Sequence, residues 1–560
     1  MTDPKLDVPD LAELQHWTWL MGRAQQMMLE AGMPMPAAAT GMAEQTQDFF
    51  GDYLKLWQRF ATAATPDAPR APEKDRRFAA PAWRDNPMFD WMRQSYALVA
   101  DHLLRGVDSL EGVDERTRAQ LRFATKGFVD AMSPSNFAFT NPEVIEKTIE
   151  TRGENLLAGL RNMLADIGKG QLTHTAASFE LGRDLATTPG KVIARTPLYE
   201  LIQYAPTTTK VLHTPLVIFP PWINRFYILD LTPEKSFIRW AVEQGITVFM
   251  VSWKSADAAM ADVQWDDYVA AQTEAVETIR ALLDVPSVHA VGYCVAGTTL
   301  AATLALLAAN GEAEKVASAT FLTAQVDFSR AGELLHFVND DQLALIGSLS
   351  PQGYLDGRYL AATFNMLRGR DLIWNYVTNN YLLGKDYAPF DLLHWNGDVT
   401  NLPAKWHLAY LTDLYRDNLL VQPGAMSVGG VPLDLARVST PSYVQAGRED
   451  HIAPPDSVWK LTHHFAGPLR FVLAGSGHIA GVVNPPSANK YQHWTNDSPV
   501  GSLEEFVAGA TEVKGSWWPD WSRWLASTAP ETIAADGARV PGKGSLPAIE
   551  EAPGSYVRTR

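Results

Sequence analysis

The chain has 560 residues and a formal net charge of −16, from 47 lysine and arginine residues against 63 aspartate and glutamate residues. We expect no nucleic-acid partner, because neutralising backbone phosphates requires a basic surface. A single cysteine excludes an internal disulfide, and neither a basic-then-apolar leader nor an apolar run of about 18 residues is visible, so we expect a cytoplasmic protein with no transmembrane segment.

The length exceeds what one hydrophobic core usually supports, so we expect at least two folding units. Residues 1–175 are predicted to form a mostly helical domain, because residues 11–20 and 145–167 place apolar side chains at helical spacing. The proline-rich segment 65–72 has the composition of a linker. No motif here points to chemistry, and we interpret the region as an accessory domain.

From about residue 190 the hydrophobic pattern changes from helical to strand-like. Apolar runs of strand length, separated by helical stretches, lie at residues 192–195, 198–204, 216–219, 247–251, 288–291, 319–322, 442–446 and 469–474. This alternation predicts an α/β domain over residues 176–560 with a mainly parallel sheet. The aromatic-rich stretch of about 325–440 is predicted to be a lid insertion over the carboxyl edge of the sheet, where α/β proteins bind ligands.

Cys294, the only cysteine, follows the strand run 288–291 after Gly292 and Tyr293. Small residues and an apolar helical stretch come next, which predicts a strand–elbow–helix unit with the thiol at the turn. Such an elbow raises a nucleophile out of a parallel sheet onto a helix N-terminus. A buried structural cysteine is the alternative, but it usually lacks flanking glycines. We therefore predict that Cys294 is a nucleophile.

A cysteine nucleophile needs a base and a group that orients the base. Asp450 and His478 each follow one of the two late strand runs, so both are predicted at the carboxyl edge of the sheet, above the elbow. The order nucleophile, acid, histidine is that of α/β hydrolases. On spacing alone, Glu449 and His451 remain alternatives to Asp450.

The tetrahedral intermediate of an acyl transfer also needs hydrogen-bond donors for its oxyanion. One predicted donor is the backbone amide of Val295, directly after the nucleophile. The other donor is expected in the loop 220–224, which follows an early strand, and we assign the backbone amide of Ile223 to this role. The prolines of this loop would hold it rigid.

Three other sequence patterns do not indicate a function of their own. Residues 475–480 fit the G-x-G-x-x-A dinucleotide fingerprint, but the prolines at 485–486 interrupt the helix that this motif requires. No metal site is predicted, because the adjacent histidines 463–464 have a poor geometry for one ion. The tryptophans of residues 515–524 are predicted to pack in the core.

Seven segments of this chain, taken in order, resemble polyhydroxyalkanoate synthases. Residues 292–298, Gly-Tyr-Cys-Val-Ala-Gly-Thr, form the second of them and are similar to the lipase-like box of the family. The other matching segments are residues 220–231, 371–376, 390–396, 447–452, 476–482 and 515–519. The resemblance spans about 190–525 and extends more loosely to the N-terminal region. Within the family, Tyr-Cys-Val in the box is most similar to class I, the single-subunit synthases of short-chain monomers.

The resemblance implies an α/β-hydrolase fold and an acyltransferase that polymerises (R)-3-hydroxyacyl-CoA, such as 3-hydroxybutyryl-CoA, into polyester with release of CoA. It assigns Cys294 as the nucleophile that carries a covalent thioester, His478 as the base and Asp450 as the third member. It also implies a homodimer on cytoplasmic polymer granules, with the N-terminal domain involved in granule association. No cofactor is implied, since CoA is part of the substrate.

The resemblance further implies three substrate-binding residues. Arg368 lies where the family places an arginine toward the CoA channel, and His451 adjoins the predicted acid. Trp222 stands where the family commonly has a cysteine, so its larger ring is expected to narrow the acyl pocket. The chain also departs from the family at Ala296, where a glycine usually allows close approach of helix and strand. A single methyl group is the mildest replacement for that glycine.

Two other functions stay open. A cysteine-dependent esterase or thioesterase of the same fold would share the three residues and would differ only in using water as the acceptor. A non-catalytic granule-associated protein would need no thiol, acid and histidine together, yet this chain has all three.

Overall fold

The computed structural model describes residues 41–61, 75–169, 179–387 and 390–559. The helical segment expected at residues 11–20 and the linker expected at residues 65–72 lie outside the described residues. None of the helices in the described ranges is long and apolar enough to span a membrane.

The α-helices are, in chain order, α1 (Gly41–Ala61), α2 (Ala82–Asp85), α3 (Pro87–Asp108), α4 (Glu115–Ala131), α5 (Pro142–Glu150), α6 (Glu154–Lys169), α7 (Phe237–Glu243), α8 (Trp265–Leu283), α9 (Val295–Asn310), α10 (Asp340–Ser348), α11 (Gly357–Leu367), α12 (Asp391–Gly397), α13 (Ala404–Ala409), α14 (Pro455–Trp459), α15 (Leu503–Gly509) and α16 (Trp518–Thr528). Three π-helical turns are found at Arg370–Trp374, Val377–Leu382 and Tyr410–Arg416.

The strands are β1 (Gly190–Arg195), β2 (Tyr199–Tyr204), β3 (Lys210–Leu212), β4 (Leu216–Phe219), β5 (Val248–Trp253), β6 (Val288–Tyr293), β7 (Val316–Leu322), β8 (Tyr354–Leu355), β9 (Leu402–Pro403), β10 (Ser427–Val428), β11 (Val431–Pro432), β12 (Ser442–Gly447), β13 (Leu469–Ala474), β14 (Gln492–Thr495), β15 (Thr511–Lys514), β16 (Thr532–Ala534) and β17 (Glu550–Glu551). The chain divides into two compact units, residues 1–176 with 358–389 and residues 177–357 with 390–560.

Part of the stretch predicted as a lid, residues 358–389, belongs to the first unit together with the N-terminal helices. Asp130, near the end of α4, is buried and pairs with Arg77 at 3.2 Å and with Arg370 at 2.7 Å. A buried carboxylate is stable when cationic partners compensate its lost hydration. This ion-pair network therefore ties the π-helical segment to the N-terminal helices.

Within the described residues, the second unit is built on an eleven-stranded sheet with the order β15-β14-β13-β12-β7-β6-β4-β5-β2-β1-β17. The six strands β13, β12, β7, β6, β4 and β5 pair in parallel, and the strands toward both edges pair antiparallel. The sheet is therefore mixed rather than mainly parallel, with a parallel centre, and it confirms the predicted α/β fold. The sequence did not indicate β14, β15 and β17, because these short strands carry no apolar run; β15 is exposed along its whole length, and only one residue of β14 is buried.

The tryptophans near the C-terminus pack in the core, as predicted. Trp517 and Trp518 are fully buried, and their indole N–H groups donate to the carbonyl oxygens of Gly481 and Val482 at 2.8 and 2.9 Å. Buried indoles usually find such a partner, because an unpaired N–H is costly away from water. These bonds hold the loop after β13, which carries His478.

Candidate active site

Cys294 forms the turn between β6 and α9. Its backbone angles, φ 53° and ψ −127°, lie in a region that residues other than glycine rarely occupy. The Cys294 amide donates to the Leu322 carbonyl at 2.9 Å, and the Cys294 carbonyl accepts from the amides of Gly297 and Thr298 at 2.9 and 3.2 Å. These bonds hold a strained elbow, with the half-buried thiol at the N-terminus of α9.

Two glycines beside the elbow allow β6 and α9 to approach closely. A Cβ atom on Gly292 would lie 2.5 Å from the Cα atom of Gly297, and one on Gly297 would lie 2.4 Å from the Cβ atom of Ala324. Both distances are far below van der Waals contact, so neither position accepts a side chain without movement. Ala296 is fully buried at the same turn, and the structure accommodates its methyl group.

Asp450 lies in the turn after β12, and its side chain is fully buried. The Oδ1 atom accepts from the amides of Ile452 and Ala453 at 2.8 and 2.9 Å, which fixes the orientation of the carboxylate. The Oδ2 atom then accepts from Nδ1 of His478 at 2.7 Å. Among the three neighbouring candidates at residues 449–451, it is therefore Asp450 whose carboxylate holds the histidine.

His478 connects the acid to the thiol. Its Nδ1 atom is bonded to Asp450, and its imidazole lies close enough to Cys294 for the thiol to raise the pKa of the ring. The hydroxyl of Tyr293, the residue before the nucleophile, donates to the His478 carbonyl oxygen at 3.0 Å. Only 9% of the histidine side chain is exposed. The structure thus brings together the three residues that the sequence assigned to nucleophile, base and acid.

Electrostatics in this group favour a charged histidine. Burial by itself lowers the pKa of His478, but the charges of Asp450 and Cys294 and the hydrogen bonds to both raise the pKa to about 10. At neutral pH the imidazolium therefore persists next to the sulfur. A cation beside a cysteine stabilises the thiolate, which is the nucleophilic form of the side chain. The arrangement is chemically suited to nucleophilic attack on a carbonyl carbon.

Two backbone amides near the elbow are available to a ligand oxygen. In the described part of the chain, the amides of Val295 and Ile223 donate to no protein acceptor. Val295 opens α9, where the first amides of a helix lack an intrahelical acceptor. The loop of Ile223 is fixed by Thr400, whose hydroxyl donates to the Trp222 carbonyl at 2.6 Å and accepts from the Asn224 amide at 2.9 Å.

The three residues assigned to substrate binding have different surroundings. Trp222 is only 2% exposed and stacks on Tyr268 with ring centroids 3.8 Å apart, inside an aromatic cluster. His451 is half-buried in the turn that holds Asp450. Arg368 belongs to the first unit, where its side chain is 51% exposed and pairs with an aspartate of the next turn at 2.5 Å.

Sequence analysis missed two tyrosines of the insertion that lie close to the nucleophile. Tyr410 and Tyr415 are buried in the π-helical turn Tyr410–Arg416, with ring centroids 5.4 Å apart. Burial raises the pKa of both phenols, and the negative charge of Cys294 raises it further. The two tyrosines are five positions apart in the sequence, a spacing that does not place two side chains on one face of an α-helix, so the sequence pattern did not indicate that they are neighbours.

Two family models match this chain. The model described as "Poly-beta-hydroxybutyrate polymerase (PhaC) N-terminus" matches residues 74–241. The model of the α/β-hydrolase fold matches residues 223–485, a range that includes Cys294, Asp450 and His478.

Curated relatives match nearly the whole chain. A poly(3-hydroxyalkanoate) polymerase of Methylorubrum extorquens is 44% identical over 100% of this chain and 92% of its own length. A poly(3-hydroxyalkanoate) polymerase subunit of Cupriavidus necator is 45% identical over 95% of this chain and 90% of its own length. Poly(3-hydroxyalkanoate) polymerase 1 of Ectopseudomonas oleovorans is 36% identical over 88% of each chain.

Proposed function

This chain belongs to the poly(3-hydroxyalkanoate) polymerase family, and we propose that it polymerises (R)-3-hydroxyacyl-CoA through a covalent thioester on Cys294, with release of CoA. Members of this family are acyltransferases, so the chain is an enzyme of that class. The observation that carries the mechanism is that His478 is bonded to Asp450 and that its pKa is raised both by this carboxylate and by Cys294. Short-chain monomers such as 3-hydroxybutyryl-CoA are the proposed substrates, since the box around the nucleophile reads Tyr-Cys-Val.

In the first step, His478 holds the thiol proton while the sulfur of Cys294 attacks the thioester carbonyl carbon. The amides of Val295 and Ile223 stabilise the oxyanion that forms. The carbon–sulfur bond to CoA then breaks, and CoA leaves as the thiol after taking the proton from His478. Because one thioester replaces another, the step is nearly neutral in free energy.

In the second step, acylation changes the role of His478. The acylated sulfur carries no charge, so two of the contributions that raise the pKa of His478 are lost, and the imidazole becomes a base. The hydroxyl oxygen of a monomer or chain end attacks the acyl carbon, its proton passes to His478, and Cys294 leaves as the thiolate. Forming an oxygen ester from a thioester is downhill, so the chain grows without another energy source.

Water would compete with the acceptor hydroxyl and turn the enzyme into a thioesterase. Aromatic side chains of the insertion pack around Tyr410, whose ring centroid lies 5.0 Å from that of Trp406, 5.4 Å from that of Tyr415 and 6.1 Å from that of Phe328. All four side chains are buried. This aromatic group supports exclusion of water, and hence polymerisation over hydrolysis.

Three residues are proposed to bind the substrate. Arg368 would bind the CoA phosphates, because its exposed guanidinium matches phosphate geometry. Trp222 would limit the length of the acyl group, since stacking holds its ring in place, and His451 would contact the substrate beside Asp450. The reaction needs no cofactor, because CoA enters and leaves as part of the substrate.

The family resemblance also supports a homodimer in the cytoplasm, associated with the surface of polyhydroxyalkanoate granules. The helical N-terminal region is the proposed granule-binding part. Analytical ultracentrifugation and co-sedimentation with isolated granules measure these two properties directly.

The function is tested with purified protein and (R)-3-hydroxybutyryl-CoA, by following CoA release and separating the acyl product by size. Released CoA together with high-mass, insoluble polyester is the expected result. Released CoA with free 3-hydroxybutyrate would establish a thioesterase instead. If no CoA is released from this or longer 3-hydroxyacyl-CoA substrates, the chain is a non-catalytic member of the family.

A further inference from the structure

The π-helical turn Tyr410–Arg416 places two phenols on one side of the insertion. In an α-helix, a residue five positions further on lies about 140° around the axis. A π turn closes hydrogen bonds between residues five apart, and such turns are frequent at functional sites. Tyr410 and Tyr415 are accordingly neighbours, with ring centroids 5.4 Å apart, and each is only 7% exposed.

Contacts on the second unit fix Tyr415 relative to the nucleophile. The side chain of Gln325, in the loop after β7, donates from Nε2 to the Tyr415 hydroxyl at 3.3 Å. The carbonyl of the same glutamine accepts from the hydroxyl of Thr298 at 2.7 Å, and Thr298 lies in the first turn of α9, which Cys294 begins. Two hydrogen bonds thus link the phenol to the helix that carries the thiol.

The end of the turn is fixed to the same loop. Asn418 donates from Nδ2 to Oδ1 of Asp327 at 3.0 Å, and its Oδ1 accepts from the Phe328 amide at 2.8 Å. The rings of Phe328 and Tyr415 also pack with centroids 4.7 Å apart. Tyr415 is therefore held by its backbone, its ring and its hydroxyl, which is unusual restraint for a residue with only a packing role.

The hydroxyl of Tyr415 retains one unused hydrogen-bonding function. Gln325 donates to its oxygen at 3.3 Å, and the Tyr415 hydroxyl donates to no acceptor among the described residues, so its own proton remains available. The charge of Cys294 acts on both phenols, which places them near the sulfur and keeps them protonated at neutral pH. A buried donor next to a nucleophile, with no further acceptor among the described residues, points to an acceptor on the substrate.

We propose that the hydroxyl of Tyr415 donates a hydrogen bond to the acceptor hydroxyl of the substrate and positions it for attack on the acyl group of Cys294. This inference rests on the proposed polymerase function. In the step, the acceptor oxygen bonds to the acyl carbon, the carbon–sulfur bond breaks, the proton passes to His478, and Tyr415 keeps its own proton. The oxyanion is left to the backbone amides, so Tyr415 acts on the acceptor and not on the first acylation.

The test separates the two half-reactions in Tyr415→Phe. With enzyme in excess over (R)-3-hydroxybutyryl-CoA, CoA release reports the first acylation, and with substrate in excess the steady-state rate includes acyl transfer. We expect the single-turnover rate to stay within about threefold of wild type and the steady-state kcat to fall about 10- to 100-fold, as for the loss of one buried hydrogen bond. Tyr410→Phe, which removes the hydroxyl of the neighbouring ring, should lower only the steady-state kcat, by a smaller factor.

Tyr354→Phe is the matched control, because this tyrosine of the insertion is partly exposed and its hydroxyl donates to the side chain of Gln352. Its two rates should equal those of wild type. An equal fall of both rates in Tyr415→Phe would overturn the inference, because the phenol would then act on the thiolate or on folding. Unchanged rates in both half-reactions would also overturn it. A wild-type protein that releases no CoA refutes the polymerase proposal itself, which is a distinct result.

Discussion

Replacing Asp450 with asparagine tests whether the buried acid sets the protonation of His478. The amide keeps an oxygen for the backbone amides of Ile452 and Ala453, which now bond Oδ1 at 2.8 and 2.9 Å. It then places an NH2 group against Nδ1 of His478, where the carboxylate oxygen lies at 2.7 Å. The histidine must present a lone pair at Nδ1 and carry its proton on Nε2, so it is no longer able to take the thiol proton.

The magnitude follows from the pKa of His478. The difference between the ordinary value of 6.5 and the value of about 10 corresponds to about 5 kcal/mol, at about 1.4 kcal/mol per pH unit. The charge of Asp450 supplies part of this stabilisation, and each kcal/mol that is lost corresponds to about a fivefold decrease in rate. The reversed tautomer adds to this loss, and we expect kcat/KM to fall by about 10² to 10⁴ in Asp450→Asn.

The assay is CoA release from (R)-3-hydroxybutyryl-CoA at pH 7.5, measured with a thiol reagent. Asp434→Asn is the matched control, because Asp434 only caps a turn by accepting from the Ala436 amide at 3.0 Å. Thermal unfolding should show that both variants are folded. A value of kcat/KM in Asp450→Asn within threefold of wild type would refute the reasoning, since the acid would then neither charge nor orient the histidine.

Three further predictions concern the elbow and its charge. Cys294→Ala and Cys294→Gly should both lack turnover. The glycine variant should have a free energy of unfolding in urea about 1–2 kcal/mol higher than the alanine variant, because φ at this position is 53°. Equal stability of the two variants would mean that the elbow is unstrained. In NMR titrations the pKa of His478 should be about 10 in wild type and lower in Cys294→Ala, which lacks the sulfur charge. Because this pKa is raised on folding, its stabilisation is complete below about pH 6.5 and is lost as the pH rises through about 10. Gly297→Ala should destabilise the protein by about 1–3 kcal/mol, since the new Cβ atom would lie 2.4 Å from that of Ala324. Ala296→Gly should destabilise it by only about 1 kcal/mol. The reverse ranking of the two variants in urea unfolding would contradict the packing argument.

Local patterns in the sequence were sufficient to predict the central parallel strands and the elbow at Cys294. The strand run that precedes Cys294 contains His289 among apolar residues and is buried along its whole length in β6, as expected for a central parallel strand. The flanking glycines then located the elbow, because only a residue without a side chain fits where Gly292 and Gly297 meet. Sequence spacing also placed His478 after a late strand, at the edge where the carboxyl ends of parallel strands meet.

The identity of the acid was not accessible from spacing. Glu449, Asp450 and His451 share one turn, and the choice among them depends on which side chain the turn directs toward His478. The bonds from the Ile452 and Ala453 amides make that choice, because they orient the carboxylate of Asp450. Such bonds depend on the path of the backbone, which a single sequence does not reveal.

The sequence by itself determined the α/β class, the order of the chemical groups along the chain and the family. Only the tertiary structure decided that Gly292 and Gly297, and not Ala296, control the approach of helix and strand, and that Tyr410 and Tyr415 lie near Cys294. The physical reason is that hydrophobic period and turn chemistry are local properties of a chain. Contacts between residues far apart in the chain are set by packing, because many side chains must fit together before any one of them is placed.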